Sequence, residues 1–260
     1  MYFIDVQGTL IDDVHKAPIR GAIALIERLN ERKIPYMVVT NNTKRSSSDF
    51  LHYLNTVGLA IPQEHYLDPL MTLESMVDTK SGVAAYGATA FLEVLEQMGY
   101  VLDYTHPKTL LIAIKEDFSA DEYAQMIDFL LSGAALVGMH ETTIYAKNGK
   151  RYPGVGAILK MLEFATSQPY EVVGKPSRAF YAEALRRLQR QQRSAQYEKI
   201  TMISDDVKGD LSGAAALGMQ TVFVLSGKYR KAEEIVPYLQ ESERPQHIYQ
   251  DVYDVLEAGV

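Results

Sequence analysis

The chain has 260 residues, 47% hydrophobic and 23% charged, with no cysteine and a formal net charge of −7. That composition suits a globular protein with ample core. It excludes disulfides and thiolate chemistry, speaks against a general nucleic-acid binder, and leaves no apolar run of membrane-spanning length.

Tyr2-Phe-Ile4 reads as a short buried strand, with Asp5 at its end and Gly8-Thr9 supplying a turn. A strand that enters at residue 2 leaves no room for a signal peptide, so a cytoplasmic protein is expected. Apolar residues recur at helical spacing from Gly21 to Lys33, after Pro18, and Ile34–Val39 is a second buried strand ending at Thr40-Asn41-Asn42-Thr43. The next helix starts in Ser46–Asp49, whose side chains can cap it, and runs to Val57. Strand and helix in this alternation predict right-handed crossovers and a parallel sheet.

The register changes near Lys80-Ser81-Gly82. Strands are expected at Val83–Tyr86, Leu110–Ile114 and Thr142–Ala146, helices at Phe91–Met98 and Asp121–Leu131, and a turn at Asn148-Gly149-Lys150. The first rhythm returns at Tyr170–Val173, followed by Gly174-Lys175-Pro176-Ser177 and a helix through Arg193. Ile200–Ile203 is a strand ending in Ser204-Asp205-Asp206, Leu211–Leu217 a helix, and Thr221–Leu225 a strand before Ser226-Gly227. The expected architecture is α/β: a Rossmann-like parallel-sheet core from residues 1–81 and 171–260, with an inserted α/β module at 82–170.

Four strand ends thus carry polar clusters: Asp5, Thr40-Asn41, the neighbourhood of Lys175, and Asp205-Asp206 with Asp210 beyond. In a parallel sheet such ends share one edge. Together they form a metal-assisted phosphoryl-transfer site. Asp5, Asp205 and a main-chain carbonyl near Gln7 offer the oxygen ligands that Mg²⁺ prefers. The Thr40 hydroxyl, N–H groups around Asn41, and Lys175 can hold phosphate oxygens, and Asp5 can attack phosphorus. Taken singly, each piece has a blander reading: the aspartates favour a helix N-terminus, Lys175 is a surface lysine, and Thr40–Thr43 is a turn. Their order along the chain is what carries the site.

The pattern resembles the haloacid dehalogenase superfamily of phosphohydrolases. Its first motif, Asp-x-Asp-Gly-Thr, corresponds to Asp5-Val-Gln-Gly-Thr9, and its second to Val39-Thr-Asn-Asn42. The third corresponds to Val173-Gly-Lys-Pro176, and the fourth to Ser204-Asp-Asp206 with Asp210. The insert is similar to the large cap of subfamily IIA, which holds 4-nitrophenyl, sugar-phosphate, pyridoxal-phosphate and phospholysine/phosphohistidine/pyrophosphate phosphatases. Residues 205–214, Gly218-Met219, Ser226–Arg230 and Tyr152–Gly156 are similar to the last of these. The resemblance implies Asp5 as nucleophile, and Gln7, Thr40, Asn41 and Lys175 around the phosphate. It also implies Asp5, Gln7 and Asp205 as Mg²⁺ ligands, with Asp206 and Asp210 as supporting acids. The ligand is expected to be a small phosphorylated compound, with no nucleic acid or membrane partner, and homodimerisation through the cap is an expectation taken from similar proteins.

One departure bears on chemistry. The family's general acid and base is Gln7 here, and an amide can only offer hydrogen bonds. Loss of such a group costs ~10²–10⁴ in rate. Three readings follow: a phosphatase with weakened or leaving-group-selective turnover, an impaired relative that binds a phosphorylated ligand or acts as a regulator, and a mutase or phosphotransferase. Asp12 and Asp13 read as turn residues, with substitution for the missing acid as the alternative. His65 and His140 read as structural, Arg186, Arg187, Arg190 and Arg193 as a solvated helix face, and Gly154-Val-Gly156 as a loop leaving the insert. Tyr145, Lys147, Arg151 and Tyr152 are the cap residues expected to choose the substrate.

Overall fold

A computed structural model describes residues 1–147 and 150–259. The chain divides into two compact units, one of residues 1–40, 48–67 and 178–260, the other of residues 41–47 and 68–177.

The first unit contains β1 (Tyr2–Ile4), α1 (Ala22–Glu31), β2 (Tyr36–Val39), α2 (Ser47–Thr56, its first residue excepted) and β3 (Tyr66–Leu67). The second runs through α3 (Leu70–Leu73), β4 (Val83–Tyr86), α4 (Thr89–Gln97), β5 (Thr109–Ile112), α5 (Ala120–Leu131) and β6 (Ala135–Gly138). It continues with β7 (Ile144–Lys147), β8 (Lys150–Pro153), α6 (Val155–Thr166) and β9 (Tyr170–Val172). The chain then returns to the first unit with α7 (Arg178–Gln191), β10 (Thr201–Ser204), α8 (Ser212–Ala216), β11 (Gln220–Val224), β12 (His247–Tyr249) and α9 (Val252–Glu257).

The six strands of the first unit are parallel, in the order β12-β11-β10-β1-β2-β3. Alternate side chains enter two separate cores, as the pleat dictates. Ile4, Tyr36 and Val38 pack with Leu25, Ile26 and Leu29 of α1 and Val252 and Val255 of α9. Phe3, Met37 and Val39 pack on the other face with Phe180, Tyr181, Ala184 and Leu188 of α7. Burial on both faces explains why these strands read as unbroken apolar runs. The order reverses at β1, since the chain builds outwards to β2 and β3 and later resumes on the other side with β10. A crevice at such a switch point is where α/β sheets place ligands.

The second unit has a four-stranded parallel sheet in the order β4-β5-β6-β9 and an antiparallel hairpin, β7-β8. Ala85, Leu111 and Val137 pack with Phe91 and Leu95 of α4, while Ala84, Leu110 and Leu136 pack with Met126 and Leu130 of α5 and Leu159 of α6. A reciprocal cap starts α5: Ser119 accepts from the Glu122 N–H, and the Glu122 carboxylate from the Ser119 N–H.

Two expectations are corrected. Tyr170–Val172 is not a strand of the first sheet: it pairs with Leu136–Gly138 and forms the edge of the second. Gly154-Val-Gly156 is not a loop, because Gly154 caps α6 and Val155 begins it. Both glycines are dictated by close approach, since a Cβ would lie 2.1 Å from the Thr142 carbonyl oxygen at Gly154 and 2.7 Å from that of Glu141 at Gly156. Strands β3, β6, β8 and β12 and helix α9 have no counterpart in the sequence expectations. The turn expected at Asn148-Gly149 lies outside the described residues. Among the described residues, no helix is long and apolar enough to cross a membrane.

Candidate active site

Asp5 and Asp205 follow two neighbouring strands, β1 and β10, and the ladder holds them in step: Ile4 pairs with Ile203, and the Asp5 N–H donates to the Ile203 carbonyl at 2.9 Å. Both carboxylates are nearly buried, at 6% and 5% exposure. The fully buried Thr9 hydroxyl ties them together, donating to Asp5 Oδ2 at 3.4 Å and accepting from the Asp205 N–H at 3.1 Å. The loop that carries Thr9 is a tight turn, in which the N–H groups of Leu10 and Ile11 both donate to the Val6 carbonyl, at 2.8 and 2.9 Å. Gly8 sits in that turn at φ +79°, a conformation glycine adopts without cost. Gln7 is exposed on the same turn, between buried Val6 and Gly8.

The Asp205 carboxylate lies between two glycines. A Cβ on Gly8 would fall 2.2 Å from Asp205 Oδ2, and one on Gly227 2.0 Å from it. The Lys228 N–H donates to the same oxygen at 2.6 Å, while the Lys228 ammonium is paired with Asp206 Oδ2. Burial, then the charges of Asp5 and Asp206, push the Asp205 carboxyl well above the usual carboxylate range, with Lys228 pulling the other way. Burial opposes the charge on Lys228, but Asp206 and Asp205 outweigh it and raise its pKa.

Asp206 and Asp210 brace the loop from β10 towards α8. Asp206 Oδ1 accepts the Gly209 N–H at 2.9 Å, and Asp210 Oδ2 accepts the Ser204 hydroxyl at 2.6 Å. Tyr181 of α7 donates to the Asp210 carbonyl at 3.0 Å, and burial followed by the charges of Asp210, Asp5 and Asp206 raises its phenol well above the usual value. Thr40, 1% exposed, ends β2 with its N–H on the Leu67 carbonyl at 3.1 Å.

In the second unit, Lys175 is 1% exposed, and its main-chain N–H donates to Asn41 Oδ1 at 2.9 Å. Nearby, fully buried Asp68 accepts from Asn42 Nδ2 at 3.2 Å and the Ser47 hydroxyl at 2.8 Å, fastening the segment after Thr40. The Tyr145 and Tyr152 rings stack across the β7-β8 hairpin with centroids 5.3 Å apart. Arg151 is exposed there, and the Lys147 side chain lies outside the described residues.

Asp12 is a turn residue. Its carboxylate accepts the N–H groups of Val14, His15 and Ala17 at 2.9, 2.6 and 2.9 Å. Burial raises its pKa, but these bonds outweigh burial and hold it below the usual value, so it closes a loop as an anion. Arg186 and Arg187 both pair with Glu183. Sequence reasoning assigned no role to Thr9, Ser204 or Lys228. Thr9 and Lys228 lie inside quoted stretches, but their contacts reach across some 200 and 20 residues, respectively, which no local pattern encodes.

The arrangement suits a hard cation. Among the described residues, no group of three or more His, Cys, Asp or Glu side chains is placed to hold a metal ion. Two carboxylates, a main-chain carbonyl and waters make an acceptable donor set for Mg²⁺, and a cation would offset the burial and, after it, the repulsion from Asp5 and Asp206 that raise Asp205.

Known proteins resemble the chain along most of its length. A model described as haloacid dehalogenase-like hydrolase matches residues 2–101, and a HAD-hydrolase-like model matches residues 172–255. Haloacid dehalogenase-like hydrolase domain-containing protein 2 of Bos taurus is 30% identical over 232 residues, covering 89% of this chain and 86% of its own. The solved p-nitrophenyl phosphatase from Archaeoglobus fulgidus superposes with a TM-score of 0.82 at 23% identity, covering 99% of this chain and 98% of its own. A glycerol phosphate phosphatase from Mycobacterium tuberculosis, solved in complex with magnesium, gives a TM-score of 0.73 at 22% identity, covering 97% of this chain and 75% of its own. With one family model matched over residues 2–101, another over 172–255, and a 30%-identical relative aligned along most of its length, the chain belongs to the haloacid dehalogenase-like hydrolases.

Proposed function

We propose that the protein is a Mg²⁺-dependent phosphatase of a small phosphorylated compound, working through an aspartyl-phosphate on Asp5. The observation that carries this reading is the pairing of Asp5 with Asp205 at the switch between β1 and β10, joined by the Thr9 hydroxyl. One oxygen of Asp5 attacks phosphorus, and the bond from phosphorus to the leaving oxygen breaks with its electron pair going to that oxygen. Water then attacks the aspartyl-phosphate and frees Asp5 and phosphate. Thr40, the main-chain N–H of Asn41, and Lys175 hold the phosphoryl oxygens. Asp5, Asp205 and the Gln7 carbonyl hold the metal, which supplies positive charge to the carboxylates and the phosphoryl group. The relatives named as phosphatases, one of them solved with magnesium, support this assignment.

Gln7 sets the range of substrates. With no carboxyl to protonate the leaving oxygen, substrates whose leaving group departs as a stable anion, such as acyl and aryl phosphates, turn over best. The same residue favours a second reading, in which the protein binds a phosphorylated ligand and acts as a regulator.

Phosphate release from acetyl phosphate and 4-nitrophenyl phosphate, with and without Mg²⁺, separates the two. The phosphatase reading expects Mg²⁺-dependent turnover that vanishes in Asp5→Asn. Turnover no greater than in that variant retires it. Gln7→Asp should speed hydrolysis of a simple alkyl phosphate by ~10²–10⁴, and an unchanged rate would refute the role given to Gln7.

A further inference from the structure

The Asn41 carboxamide is turned towards a peptide. Oδ1 accepts the Lys175 N–H at 2.9 Å, and Nδ2 lies 3.5 Å from the Lys175 carbonyl oxygen, so one amide meets both main-chain groups of a single residue. Main-chain donors and acceptors cannot exchange identity, so these two partners fix which end of the amide is which. The Glu141 N–H donates to the same carbonyl at 3.2 Å. The residue before Lys175 is shaped to allow the approach: a Cβ on Gly174 would sit 2.6 Å from Asn41 Oδ1 and 2.6 Å from Pro69 Cγ.

What this holding achieves follows from the nature of lysine. Its ammonium is a point charge on a four-carbon stem, and it finds a fixed place only if both stem and backbone are fixed. The Lys175 side chain is buried, and its backbone is held on the N–H and C=O sides together.

We infer that the Asn41 side chain is a positioning residue for Lys175: it fastens the Lys175 peptide so that the ammonium meets a phosphoryl oxygen, and does not itself touch the phosphate. This rests on the reading of Lys175 as a phosphate ligand.

The test is a double-mutant cycle on the full chain, with inorganic phosphate binding in the presence of Mg²⁺ read by calorimetry. Asn41→Ala should weaken binding about tenfold, the worth of one well-made hydrogen bond to the holding of a charged group. Lys175→Met should weaken it at least as much. In the Lys175→Met background, Asn41→Ala should change binding less than about twofold, because residues acting through one another are not additive. Asn41→Leu, close in shape and uncharged, removes both bonds to the Lys175 peptide; it should follow the same cycle and serves if the alanine variant does not fold. Multiplying effects, or an Asn41 variant that binds as tightly as the native chain, would overturn the positioning role while leaving Lys175 as a ligand. A Lys175→Met variant with native affinity would overturn the ligand reading, and the positioning role with it.

Discussion

Gly227→Ala is the most direct perturbation of the carboxylate sandwich. The new Cβ would stand 2.0 Å from Asp205 Oδ2, 2.6 Å from Asp205 Cγ and 2.5 Å from the Gly8 Cα. Ordinary contact begins near 3.4 Å, so something must move by more than an ångström. Gly8 is held by its own turn, its N–H on the Ile11 carbonyl at 2.8 Å and its carbonyl accepting the Ser226 hydroxyl at 2.7 Å. The carboxylate must yield and loses the 2.6 Å bond from the Lys228 N–H, and the Gly227 and Gly8 backbones must also part, since the Cβ would otherwise stay 2.5 Å from the Gly8 Cα. A hydrogen bond to a charged group contributes about 1.5–3 kcal/mol, and overpacking adds about 1–3 kcal/mol. The expected loss is therefore about 2.5–6 kcal/mol, which lowers Tm by roughly 5–24 °C for a unit of this size. Thermal unfolding followed by circular dichroism measures it, with Mg²⁺ added in a second series. Mg²⁺ should raise the native Tm and leave that of Gly227→Ala nearly unchanged, because a displaced Asp205 no longer faces the ion. A Tm within 2 °C of native, with the Mg²⁺ response intact, would show that the carboxylate is not confined between the glycines.

Two further outcomes follow from buried charge. Lys228→Met removes the ammonium that pairs with Asp206 and faces the charge of Asp205, so the metal-free protein should lose about 3–5 kcal/mol in urea unfolding, and Lys228→Arg should restore part of it. A loss below about 0.5 kcal/mol would refute the counter-ion role. Asp12, whose carboxyl is depressed by three N–H bonds, stabilises the fold above its unfolded value of 3.8, and that stability fades as the pH falls through the lower folded value. The gap in urea midpoint between the native chain and Asp12→Ala should therefore be wide at pH 5 and shrink below pH 4. A gap that does not change with pH would refute the assignment.

How much was legible beforehand can be judged residue by residue. Asp5 and Thr40 each close an apolar run and Asp205 follows one at Ser204, and a buried parallel strand announces its end by polar side chains, so their elements could be read locally. Lys175 also follows a strand, but local pattern cannot say which sheet that strand joins, and Tyr170–Val172 joins the second. Strand β6, Ala-Leu-Val-Gly, is short and ends in glycine, which carries little strand signal until β5 and β9 flank it. The Asn41 carboxamide lies within a motif visible in the sequence, yet its hydrogen-bond partner lies 134 positions away. Residue type told what chemistry was present, whereas pairing across the chain decided what each group does.

The central position of β1 has a consequence for how the chain comes off the ribosome. Tyr2–Ile4 lies between β2, made soon after it, and β10, which pairs Tyr2 with Thr201. At about 5–20 residues per second, β1 waits roughly 10–40 s for its second neighbour. Through that interval one edge of an apolar strand, and Asp5 beside it, has no ladder to join. The four-stranded sheet between them is contiguous in sequence and can close first. Nascent chains arrested before residue 200 should therefore be the ones that chaperones hold, and release should coincide with the emergence of β10.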